Sequence, residues 1–175
     1  MEPAWSDRYF TWLDRECDAD TGLWRRGHLD PAPGWTTRFP QLAGTFHYLF
    51  NYQHAGRPHP HPEALAATAC AQIVDQAFPW GHFAGFAEID AIYCARRATL
   101  DAGLATDRLM EILSALSDRI VGSITTLALD DADGAGDLHL LFGSVCALAE
   151  LQAALPETLS SEQPLRLVLD RRPFI

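Results

Sequence analysis

A chain of 175 residues is long enough to bury one substantial core without disulfide or metal staples, so a single helical domain over 1–175 is expected. The basic residues are all Arg, 13 against 23 acidic residues for a net charge of −10, and their scatter along the chain argues against nucleic acid as a partner. No apolar run approaches the ~20 residues of a membrane span and the first residues are too polar for a secretory signal, so a cytoplasmic protein away from membranes is expected.

Trp5, Tyr9, Trp12 and Leu13 recur at helical spacing and predict a first amphipathic helix from about Pro3 to Cys17. From Asp18 to Pro40 the chain carries Gly22, Gly27, Pro31, Pro33 and Gly34 with Trp24 and Trp35, and no sustained period, which predicts a long loop ordered by its aromatics. Leu42, Phe46, Leu49 and Phe50 form one stripe, so a second helix is expected over Gln41–Ala55, capped by Gly56.

The His59-Pro60-His61-Pro62 stretch reads as a rigid connector, with Pro62 and Glu63 opening a third helix that runs to about Ala77. A loop containing Trp80 and Phe83 leads to a fourth helix, Phe86–Leu100. The fifth, Thr106 to about Leu129, carries Leu109, Leu113, Leu116, Ile120 and Ile124 on one side. After a turn rich in Asp and Gly, the sixth helix, Leu138–Leu155, is apolar around most of its circumference, the pattern of a helix buried on nearly all sides. Leu165–Ile175 reads as a strand or a docked extended tail. With no alternation of strands and helices before that tail, the fold class is all-α.

A weak repeat organises these helices. Phe46-His47-Tyr48-Leu49-Phe50 aligns with Ile89-Asp90-Ala91-Ile92-Tyr93 and with Leu138-His139-Leu140-Leu141-Phe142, sharing an apolar residue, then His or Asp, then two positions on an apolar residue and an aromatic. The polar positions lie 43 and 49 residues apart, room for one helix out and one back. About three antiparallel hairpins follow, six main helices in all, each pairing an outer amphipathic helix with a more buried inner one. His47, Asp90 and His139 would then sit at equivalent levels on the inner helices.

In this alternation the chain resembles the α/α-toroid architecture shared by terpenoid cyclases, protein prenyltransferases and several carbohydrate-active enzymes. The segment Asp18-Ala19-Asp20-Thr21-Gly22-Leu23-Trp24, between an outer and an inner helix, is similar to the QW-type turn of the cyclases. The likeness spans residues 5–155. It departs from those families in having about three hairpins where a closed ring has five to seven, in Asp18 where the motif has Gln, and in lacking a complete cyclase acid motif. A partial ring implies an open concave face, covered by the tail or by a second subunit in a homodimer.

His47, Asp90 and His139 are the residue types of a general acid and base with an orienting carboxylate, or of a two-His, one-carboxylate metal site. A buried hydrogen-bonded network between helices would use the same residues without chemistry. Asp90 lacks a local basic partner, with Phe86 and Cys94 one turn away on either side, so it needs a tertiary one. Seven residues on lie His54, Arg97 and Cys146, on roughly the same faces; Arg97 would pair with Asp90 or hold an anionic group. Glu88, two residues from Asp90, points away from it and reads as a helix-starting carboxylate.

Asp130-Asp131-Ala132-Asp133 fits neither DDxxD nor DxDD and reads as a solvated turn. His59 and His61 lack a third ligand for a metal. Trp24, Trp35, Trp80 and Phe83 lie in loops leading into inner helices, to rim an apolar pocket or to cover the core. No GxSxG, P-loop, GxGxxG or HExxH occurs.

These features point to a small-molecule enzyme of lyase or isomerase type, a cyclase among them. His47, Asp90 and His139 would be its catalytic residues, and Tyr93, Arg97, Trp24, Trp35, Trp80 and Phe50 would contact the substrate. No cofactor and no resident metal is expected. The competing reading is a non-catalytic helical module for binding or dimerisation.

Overall fold

In a computed structural model, residues 3–24, 38–75, 85–125 and 138–170 are described. Six α-helices account for most of them: α1 (Pro3–Glu16), α2 (Arg38–His54), α3 (Pro62–Val74), α4 (Phe86–Asp101), α5 (Asp107–Thr125) and α6 (Leu138–Ala154). A single 3₁₀ turn at Val168–Asp170 marks the tail, and among the described residues there is no strand. The fold is all-α. No helix among these residues is long and apolar enough to cross a membrane.

Local chemistry sets the helix ends. Pro62 stands in the first turn of α3, where its missing N–H costs nothing. Gly56 and Gly103, both at φ +63, end α2 and α4 in the left-handed conformation that spares glycine a Cβ clash. At the start of α4, Oε2 of Glu88 accepts the Gly85 N–H at 2.8 Å, the helix-starting role expected for this carboxylate.

α4 is in contact with α2, α3, α5 and α6, with α3 and α6 its main neighbours, and the amphipathic α5 packs on α6 and α3 as well as on α4. Side-chain pairs show that α2, α4 and α6 run parallel. Phe39 meets Phe86 near the start of α2 and α4, and Gln53 bonds Asp101 near their ends. His139 stacks on Phe86, and Glu150 binds Arg96 and Arg97, at the start and end of α4 and α6. One continuous core, including Leu49, Ile92, Leu113 and Leu151, fills the space among these helices.

A second, smaller core forms around α1 and the turn after it, from Phe10, Leu13, Cys17, Trp24 and Tyr52. The turn is built by Asp18, whose Oδ1 accepts the Thr21 N–H at 2.9 Å and its hydroxyl at 2.7 Å. Gly22, at φ +69, lies so close to α3 that a Cβ would meet the Leu65 backbone at 2.5 Å. Trp24 then folds back, its Nε1 donating to the Leu13 carbonyl at 2.8 Å.

Two expectations are corrected. The sixth helix is not buried on nearly all sides, because Leu138, Leu141, Phe142 and Val145 are exposed along one face of its first half. Apolar residues all round a helix report its hydrophobicity, not whether each side has a neighbour. The level of His139 also differs. Arg97 meets Glu150 across 53 positions, about one turn more than the 49-residue step of the repeat, so His139 stands level with Phe86 and not with Asp90. The tail is docked: its 3₁₀ turn rests on α2, with Leu169 buried.

Candidate functional site

His47, Asp90 and His139 line one cavity of about 130 Å³ between α2, α4 and α6. From α2 come Ala43, Phe46 and His47; from α4, Phe86, Ile89 and Asp90; from α6, His139, Phe142, Gly143 and Cys146; and Leu169 of the tail closes one side. Asp90 is 5% exposed and forms the floor, whereas both histidines are exposed at the rim.

Two local features shape the cavity. Gly143 lets α6 approach the first turn of α4, for a Cβ there would sit 2.8 Å from the Gly85 carbonyl carbon and the Phe86 nitrogen. The Phe86 ring lies face to face with the His139 imidazole at 5.1 Å and 3° between planes. On the other side Phe46 meets His47 edge to face at 5.3 Å.

The electrostatics of the floor are unusual. Among the described residues no hydrogen bond or ion pair reaches the Asp90 carboxyl. Burial pushes its pKa well above the usual 3.8, and the neighbouring Glu88 pushes the same way; both favour the neutral acid. Partial burial, and to a lesser degree the nearby His139, lower the pKa of His47 below 6.5 and favour its neutral imidazole. The Cys146 thiol is pushed up to about 11 by burial and by Glu150, and Cys94, beneath Asp90, well above its usual value. Neither is a thiolate nucleophile.

Asp90 therefore does not orient a histidine, because no bond joins it to either imidazole. Arg97 is not its partner: at 3.2 Å from Glu150 it is drawn, with Arg96 at 2.7 Å, to a carboxylate that is 1% exposed. Its guanidinium also lies over Tyr93 at 5.0 Å. Phe50 and Tyr93 pack on each other at 4.8 Å in the α2–α4 seam and line no part of the cavity. Trp24 covers the small core beside His59, ring to ring at 4.9 Å. Of the positions seven residues on, Cys146 alone stays at the cavity, while His54 is exposed elsewhere on α2. Trp35, Trp80, Phe83 and the Asp130–Asp133 cluster lie outside the described residues.

His59 is buried, its Nδ1 accepting the His61 N–H at 3.0 Å and its Nε2 3.8 Å from Cys17 Sγ. An accepting Nδ1 leaves the proton on Nε2, and burial lowers this imidazole to about 4. It is a satisfied core residue. No group of three His, Cys, Asp or Glu side chains among the described residues is arranged to hold a metal ion.

Sequence reasoning missed Phe46, Phe86, Gly143 and Leu169 as cavity residues. Gly143, alone in an apolar helix, carried a readable signal, because such a glycine marks close approach of a neighbour. No protein-family model, curated protein or solved structure matches the chain.

Proposed function

We propose that the chain is a small-molecule enzyme of lyase or isomerase type that moves a proton on a compact, largely apolar substrate. The observation that supports it is the convergence of a buried carboxyl, reached by no hydrogen bond or ion pair among the described residues, and two rim imidazoles on one cavity. Asp90 donates a proton from the floor as His47 removes one at the rim, leaving a carboxylate and an imidazolium. The exposed rim returns both to their starting states through solvent, and His139 on Phe86 positions the substrate. The cavity approaches the roughly 150 Å³ that admits benzene in an engineered protein, so a substrate core of about six heavy atoms fits. In this reading α2, α4 and α6 are the inner helices of a partial α/α-toroid of three hairpins, in keeping with their parallel courses, in a cytoplasmic enzyme.

The test requires no known substrate. Small ketones and alkenes are incubated with the protein in deuterated water and assayed for deuterium at carbon. Exchange above the buffer rate is expected, falling about 100- to 10,000-fold in Asp90→Asn and in His47→Gln, with thermal transitions that stay cooperative. A compound seen by NMR in the cavity that exchanges no faster than in buffer, across the whole panel, defeats the reading.

A second reading, a dimerisation module, draws on the uncharged exposed face Leu138, Leu141, Phe142 and Val145. A second copy would cover it and extend the row of inner helices. Sedimentation equilibrium of wild type and Val145→Asp distinguishes this: dimers lost in the variant favour it, and monomers throughout exclude it.

A further inference from the structure

The proposed reaction leaves open what kind of molecule the cavity selects. Asp90 is a carboxyl side chain at the floor of a cavity, more than nine-tenths buried, reached by no hydrogen bond or ion pair among the described residues. A buried carboxyl without partners is costly to a fold, and nothing in the helix assembly uses it. Three phenylalanine rings, Phe46, Phe86 and Phe142, line the same space, and aromatic faces attract cations.

Among the described residues the cationic side chains nearest the space are engaged elsewhere: Arg96 and Arg97 bind Glu150 at the far end of α4, and Arg119 of α5 acts on Glu88. Among the described residues no Arg lines the cavity. An anionic ligand would therefore meet Asp90 with no counter-charge, whereas a cation would find one carboxylate and three rings. The net charge of −10 adds a field that draws cations toward the protein at low salt.

We propose that the cavity binds a small organic monocation of the alkylammonium class, its charge paired with Asp90 and its alkyl groups against Phe46, Phe86 and Phe142. The inference goes beyond the proposed reaction: a bound cation holds Asp90 ionised and so excludes it as the acid, which makes the cation an occluding ligand of this cavity, and binding is read without turnover. Entry of the cation displaces the Asp90 proton to solvent, so one positive charge enters as one leaves. The titratable groups that face Asp90 are Glu88 and Cys94 on α4, His47 on α2 and His139 and Cys146 on α6. α3 and α5 contribute no lining residue. Protonation of His47 opposes a cation in the same direction as protonation of Asp90, so affinity climbs with pH.

Tetramethylammonium is the probe, because it carries no titratable proton, and tert-butanol is its neutral counterpart of equal heavy-atom number. Calorimetric titration in two buffers of different ionisation enthalpy counts the protons released. Tetramethylammonium is expected to bind with release approaching one proton, and to tighten up to tenfold per pH unit while Asp90 is neutral in the free protein. Asp90→Asn is expected to weaken it at least tenfold and leave tert-butanol unchanged, and Phe142→Leu, at the exposed rim, to weaken it a few-fold. Binding no tighter than that of tert-butanol, binding without proton release, or full affinity in Asp90→Asn each overturns the proposal. Deuterium exchange of neutral compounds is scored separately, so a cavity that catalyses exchange and ignores tetramethylammonium removes the ligand class alone.

Discussion

Gly143 is the residue on which the cavity's shape depends most, and Gly143→Ala tests that dependence. The added methyl would stand 2.8 Å from two backbone atoms of the α4 start and 3.1 Å from the Phe86 Cα, against about 3.5–4.0 Å for an unstrained carbon contact. Because backbone cannot rotate away, α6 must retreat by roughly 0.5–1 Å, and overfilling of this kind costs about 1–3 kcal/mol. Replacing a helical glycine by alanine returns about 1 kcal/mol, so a net loss of up to about 2 kcal/mol is expected. For a chain of this size that is a fall in Tm of up to roughly 8 °C. Gly122 in α5 is the control, because a Cβ there meets nothing within 4 Å, and Gly122→Ala should raise Tm by roughly 2–4 °C. Thermal melts followed by far-ultraviolet circular dichroism measure both. If Gly143→Ala is stabilised as much as Gly122→Ala, α6 does not approach α4 as described, and the cavity between them is drawn wrongly.

Other perturbations probe the groups around it. Asp90 has a raised pKa in the folded chain, so the folded state holds its proton more tightly than the unfolded state. The stability this gives is complete below the unfolded value of 3.8 and lost as pH rises through the folded value; Asp90→Asn should therefore gain on wild type with rising pH in urea titrations, and a variant that loses ground contradicts the account. His59 behaves oppositely: lowered from 6.5 to about 4, it contributes stability that is full above 6.5 and falls by about 3 kcal/mol as pH drops to 4, and its ring should stay neutral by NMR until near the lower value. Glu150→Ala should cost about 3 kcal/mol by stranding Arg96 and Arg97. Glu150→Gln should cost less because one acceptor remains; equal denaturation midpoints for wild type and Glu150→Ala would deny the buried pairing.

The helices were readable in the sequence wherever local chemistry marks them. Pro62 and Glu63 announce α3, Gly56 ends α2, and the one-sided stripe of Leu109, Leu113, Leu116 and Ile120 makes α5 unmistakable. The repeat carried more, because it set His47, Asp90 and His139 on three helices that run parallel and side by side. The cavity between those helices takes one of the three from each, with His139 one turn out of level. Helix sliding was not readable: the one-turn offset of α6 follows from how Gly143 and Glu150 seat against α4, and sequence spacing holds no record of it. Partner choice was equally hidden. Arg97 lies four positions from Asp101 and seven from Asp90, yet a carboxylate 53 positions away takes it. Phe50 and Tyr93 belong to an aromatic pattern that serves the seam as well as it would serve a pocket.

The account stands on an Asp90 carboxyl that is neutral and unpaired at the floor of the cavity. Carbon NMR of that carboxyl through a pH titration, assigned with Asp90→Asn, measures it directly. A midpoint well above 3.8 is predicted; a carboxyl that ionises at the ordinary aspartate value would contradict the proposed acid and the proton release expected when a cation binds.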